Sequence, residues 1–75
     1  MKQYADDLVT VRIRATRAAY HGKLDARFRE LNALFETCGE MATAYHYPHG
    51  VAERLVREAV ETYLQTRHSR RQEAA

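Results

Sequence analysis

Seventy-five residues, 45% hydrophobic and 29% charged with a net charge of +2, describe one ordinary folded domain rather than a disordered tail. No apolar run approaches the ~20 residues that span a bilayer, and the N-terminal M-K-Q-Y-A-D-D lacks the apolar centre of a signal peptide, so no membrane partner is expected. A core this small supplies little net stability, which makes a partner or a second copy expected, and the lone Cys38 cannot form an internal disulfide and fits a reducing cytoplasm.

Residues 1–7 read as a flexible arm or a cap, with Asp6 or Asp7 able to N-cap a helix. Residues 8–16, L-V-T-V-R-I-R-A-T, carry two periodicities at once. Val9, Val11, Ile13 and Ala15 alternate with Thr10, Arg12, Arg14 and Thr16, the period-two pattern of a strand in residues that favour one. Tyr4, Leu8, Val11, Ala15 and Ala18 recur at intervals of four and three, the pattern of a helix that His21-Gly22 would end with Gly at C′. A strand exposes none of Val9, Val11 and Ile13. A helix leaves Val9, Ile13 and Tyr20 as a second apolar strip on its far side. The sequence leaves both open.

Residues 23–45 form a helical seam in which Leu24, Phe28, Leu31, Phe35, Cys38, Ala42 and Tyr45 alternate at four and three, widened by Leu34 and Met41. Gly39 interrupts it at a cost of roughly 1 kcal/mol relative to Ala. Pro48 disfavours helical backbone at Tyr47, and Gly50 suits a turn. Residues 51–67 form a second helix with Leu55, Val56, Ala59, Val60, Tyr63 and Leu64 on its buried stripe, and residues 69–75 read as a frayed tail. The pairs Glu53–Arg57, Arg54–Glu58 and Arg57–Glu61 each add a few tenths of a kcal/mol on the outer side.

Charge is unevenly laid out. Residues 8–29 hold six basic side chains against Asp25, whereas residues 30–61 hold six acids against Arg54 and Arg57. A basic first third suggests a polyanionic partner.

The order strand, helix, turn, helix, with V-T-V-R-I-R in the strand and A-E-R-L-V-R-E-A-V-E-T-Y-L in the last helix, resembles the ribbon-helix-helix repressors. The resemblance implies a mainly α homodimer in which one strand from each subunit pairs into a ribbon that enters the major groove. It implies that Thr10, Arg12 and Arg14, with Arg17 beside them, face duplex DNA, where Arg can bond guanine O6 and N7. It further implies a phosphate at the amides of Gly50 and Val51. Leu24, Phe28, Leu31, Phe35, Leu55 and Tyr63 would then interlock between subunits. The function expected on this reading is a small DNA-binding transcriptional regulator.

The alternative fold is an all-α three-helix bundle or helical hairpin. It would act as an adaptor or inhibitor that binds a larger protein stoichiometrically, with Glu36, Glu40, Glu53, Glu58 and Glu61 available to a basic site on that target. No enzyme, cofactor or metal is expected. Cys38 sits on the apolar stripe without a base or an orienting group, and Glu36 and Glu40 read as a solvated face. The turn Y-H-Y-P-H-G places His46 and His49 at a spacing that matches no established metal motif, and its tyrosines read as caps of the two helices.

Overall fold

Residues 8–16 are helical, and no strand exists among the described residues. The computed structural model describes residues 2–74, with side chains for 3–72. Met1 of the expected arm and Ala75 of the expected tail lie outside the described residues. Three helices follow one another: α1 (Lys2–Tyr20), α2 (Leu24–Ala44) and α3 (His49–Ala74). The ribbon, and with it the ribbon-helix-helix fold, is therefore overturned, and the all-α bundle is the architecture observed. A strand at 8–16 would need a second chain to pair its backbone groups, whereas a helix satisfies them within itself.

Helix α1 runs through both expected cap residues. Asp6 and Asp7 lie in its second turn, and Asp7 is buried. The four-and-three stripe supplies the core: Val11, Ala15, Ala18 and Ala19 are buried, with Tyr4 and Leu8 packed against them. Alanine at three of these positions lets the neighbouring helices approach closely. The helix ends where His21-Gly22 was expected to end it, but no glycine takes a positive φ. The open carbonyls of His21 and Gly22 instead accept Arg27 Nη1, at 3.0 and 3.3 Å.

Helix α2 buries Leu34 and Cys38, so its core line is rotated away from the Leu24–Phe28–Phe35 seam. Leu31, Phe35 and Met41 are half-buried beside it. Its C-terminus is a Schellman turn without glycine. His46 takes φ 54°, its N–H donates to Thr43 O at 3.4 Å, and the Tyr47 N–H donates to Ala42 O at 3.0 Å. Histidine tolerates this left-handed backbone better than bulky residues do.

Helix α3 starts earlier and ends later than the sequence suggests. The carbonyl of Pro48 accepts the N–H groups of Val51 and Ala52, both at 3.0 Å, which places Gly50 in the first helical turn rather than in a loop. The expected frayed tail is helical to Ala74. Contacts with the end of α1 hold this extension. Arg67 Nη1 donates to Ala19 O at 3.0 Å, and the Arg70 guanidinium lies 4.2 Å from the centre of the Tyr20 ring.

Leu55, Ala59 and Tyr63 of α3 complete a core whose fully buried side chains larger than alanine are Leu34, Leu55, Val11 and Cys38. With so few, each one counts. Leu34→Ala is expected to lower the unfolding free energy by about 2–5 kcal/mol in urea denaturation. Gly39→Ala should raise it by roughly 1 kcal/mol, because Gly39 is mid-helix and exposed and a Cβ there meets nothing within 4 Å.

Candidate partner-binding surface

The helical backbone of α1 disperses the residues that a strand would have aligned toward DNA. Thr10 turns its hydroxyl back onto Asp6 O at 3.1 Å. Arg12 Nε is 2.5 Å from Glu58 Oε1 on α3, and Arg14 Nη1 donates to Thr37 Oγ1 on α2 at 2.6 Å. These two arginines thus leave α1 on opposite sides and tie it to its two neighbours. Arg17 is exposed near the C-terminal end of α1, whereas Gly50 and Val51 open α3 at the other end of the bundle. About 100° of rotation per residue separates what period two would have stacked.

The six residues expected to interlock between subunits divide by depth. Leu55 and Tyr63 lie in the subunit's own core, and Leu31 and Phe35 are half-buried against it. Leu24 and Phe28 remain 52% and 51% exposed. They stand on the flank of α2 that helical spacing turns toward α3. On α3, Val56 and Leu64 are 37% and 59% exposed and Val60 is half-buried. Together these side chains line the outer side of the α2–α3 seam. The signal for it was the breadth of the apolar seam on α2, wider than one small bundle can cover. A second apolar strip runs along the back of α1, where Val9, Ile13 and Tyr20 are 52%, 48% and 54% exposed.

The acids expected to form one face divide between surfaces. Glu36 and Glu40 line a shallow groove on α2 with Gly39 and Thr43, while Glu53, Glu58 and Glu61 line another along α3 with Arg54 and Arg57. Glu58 is engaged by Arg12, and Glu53 Oε1 lies 2.9 Å from His49 Nε2.

Charge also separates along the bundle axis. The end built from the C-terminal halves of α1 and α3 and the N-terminal half of α2 carries, among the described side chains, Arg12, Arg14, Arg17, Lys23, Arg27, Arg29, Arg67, Arg70 and Arg71 against Asp25 and Glu30. The opposite end carries, among the described side chains, Asp6, Asp7, Glu36, Glu40, Glu53, Glu58 and Glu61 against Arg54 and Arg57.

A polar junction closes the acidic end. Asp7 accepts hydrogen bonds from Gln3 Nε2 at 3.1 Å and from the Tyr47 hydroxyl at 2.5 Å. Tyr4 meets Tyr47 edge-on, with ring centres 5.8 Å apart, and Tyr45 lies 5.9 Å from Tyr47 on another side. Desolvation, and then the hydrogen bond to the Asp7 carboxylate, push the Tyr47 hydroxyl up to about 12. Cys38 is buried and free, and burial raises its thiol above the usual range, away from the reactive thiolate. Among the described residues no group of three His, Cys, Asp or Glu side chains converges to hold a metal. Among the described residues no helix is long and apolar enough to cross a membrane.

Comparison with family models, with curated proteins and with solved structures gives no match.

The Asp7–Tyr47 bond makes stability sensitive to alkali. The folded hydroxyl keeps its proton up to about 12, whereas the unfolded one ionises near 10. The stabilisation is therefore complete below pH 10 and is lost as pH rises toward 12. Tyr47→Phe should melt at a lower temperature than the native chain at pH 7, and the difference should shrink over that alkaline window. A constant difference across pH 10–12 in thermal melts would show that the bond does not control the titration.

Proposed function

We propose that this chain is a small helical interaction protein that binds a larger protein stoichiometrically through the outer side of the α2–α3 seam. The observation that carries the reading is the exposure of four large apolar side chains there, Leu24 and Phe28 on α2 and Val56 and Leu64 on α3. Exposed apolar patches on small domains mark contact sites, and aromatic anchors such as Phe28 dominate binding energy where they enter a pocket or groove. A seam between two antiparallel helices suits an amphipathic helix of the partner, with apolar residues at three- and four-residue spacing laid into it. The thin core supports the same reading, since a bound partner stabilises the folded state by mass action.

Affinity capture with the tagged chain should recover one protein at a one-to-one ratio, with modest dependence on salt. Phe28→Glu should weaken that complex by about 100-fold or more while leaving the circular dichroism spectrum unchanged. Tight binding to duplex DNA that collapses steeply with rising salt, with no protein recovered, would overturn the proposal.

A further inference from the structure

Helix α1 has a second apolar face that the bundle does not use, and we propose that two copies of this chain pair along it, α1 against α1, as an antiparallel two-fold dimer. Val9, Ile13 and Tyr20 lie on the side of α1 opposite the buried Val11, Ala15 and Ala18, and each is about half exposed. Both neighbours pack against the other side and leave Val9 and Ile13 outside, and α3 meets the strip at its C-terminal end, where Arg70 lies over Tyr20.

The charges beside this strip select a second copy as its occupant. Asp6 and Arg17 are both exposed and stand eleven residues apart, which is about three helical turns, so they share one flank of the strip. A two-fold axis perpendicular to a pair of antiparallel helices keeps each flank beside its own counterpart. With the axis at Val11, Val9 of one copy meets Ile13 of the other, since the two positions are symmetric about residue 11. Within half a residue of the same register, Asp6 meets Arg17 of the second copy, and Arg17 meets its Asp6. One apolar contact and one ion pair thus recur twice by symmetry, as an isologous interface requires. A parallel two-fold pair would set each flank beside the opposite flank of the other copy and would leave Asp6 and Arg17 without these partners.

The whole bundle favours the same arrangement. It extends 43 Å along its length, with a basic end and an acidic end. Antiparallel pairing lays the basic end of each copy beside the acidic end of the other. It also opposes the dipoles of the two α1 helices. The interface spares the outer α2–α3 seam, which faces away from α1 in a three-helix bundle, so it holds whether or not that seam binds a partner. A dimer of this kind presents two such seams on opposite sides. One helix per copy makes a contact below the roughly 800 Å² per partner of standard interfaces, so the dimer is expected to be weak and concentration-dependent.

Sedimentation equilibrium of the full chain over a range of concentrations tests this. The native chain should follow a monomer–dimer equilibrium that Ile13→Glu weakens by about tenfold or more, with helicity by circular dichroism unchanged. Phe28→Glu, on the other seam, should leave it as it was. Asp6→Arg alone and Arg17→Asp alone should each weaken association several-fold, and the two together should restore it. A chain that stays monomeric at every concentration would overturn the proposal. So would a dimer that Phe28→Glu disrupts and Ile13→Glu does not, or a double charge reversal weaker than either single one.

Discussion

Helix α1 has two apolar strips and can bury only one of them within a single chain. That constraint organises the molecule. The strip with Val11, Ala15, Ala18 and Ala19 enters the core, where its small side chains let α2 and α3 come close on either side. The strip with Val9, Ile13 and Tyr20 is left outside. Close helix approach also explains why so little bulk is fully buried. The core is narrow by construction, and polar ties at its margins supplement it. Arg12 to Glu58, Arg14 to Thr37 and Arg67 to Ala19 O each fasten α1 to a neighbour. Exposed ion pairs contribute little on their own, so their role is chiefly to set the azimuth at which α1 sits.

The two ends of the bundle are closed by different chemistry. At the basic end, Arg27 covers the carbonyls after α1, and Arg67 and Arg70 join the last turns of α3 to α1. Cations suit the C-terminal ends of α1 and α3, where the helix dipoles are negative. At the acidic end, Tyr47 lies just past the Schellman turn of α2, and its hydroxyl reaches the buried Asp7. The left-handed His46 is the local cost of directing Tyr47 inward. The turn Y-H-Y-P-H-G is thus a structural closure in which two tyrosines and the backbone do the work and the histidines point outward.

Much of this was legible residue by residue. The four-and-three spacing of residues 24–45 and of 51–66 is the spacing of α2 and α3, and Pro48 marks the break between them. The helical stripe of α1 was equally visible, as was the far-side strip that a helix would strand in solvent. What misled was the β-branched alternation from Val9 to Arg14, which is a good strand pattern when read locally. The resemblance to ribbon-helix-helix proteins rested on that segment and fell with it. The extension of α3 past Arg67 was not legible, because its support comes from Tyr20 and Ala19, some fifty residues away in the chain. The same holds for Asp7, which reads as a cap until Tyr47 is placed beside it.

The sequence by itself determined that the chain is charged, small, without a bilayer-length apolar run, and supplied with more apolar helix surface than one thin core can absorb. Those properties depend on composition and on spacing along one element. Only the tertiary structure decided which of two competing periodicities at residues 8–16 prevails, which face of α2 turns inward, and which arginines are engaged. Each of those outcomes depends on what stands opposite. A helix at residues 8–16 satisfies its own backbone and buries Val11 and Ala15 between α2 and α3, whereas a strand there has no edge within the described chain to pair with.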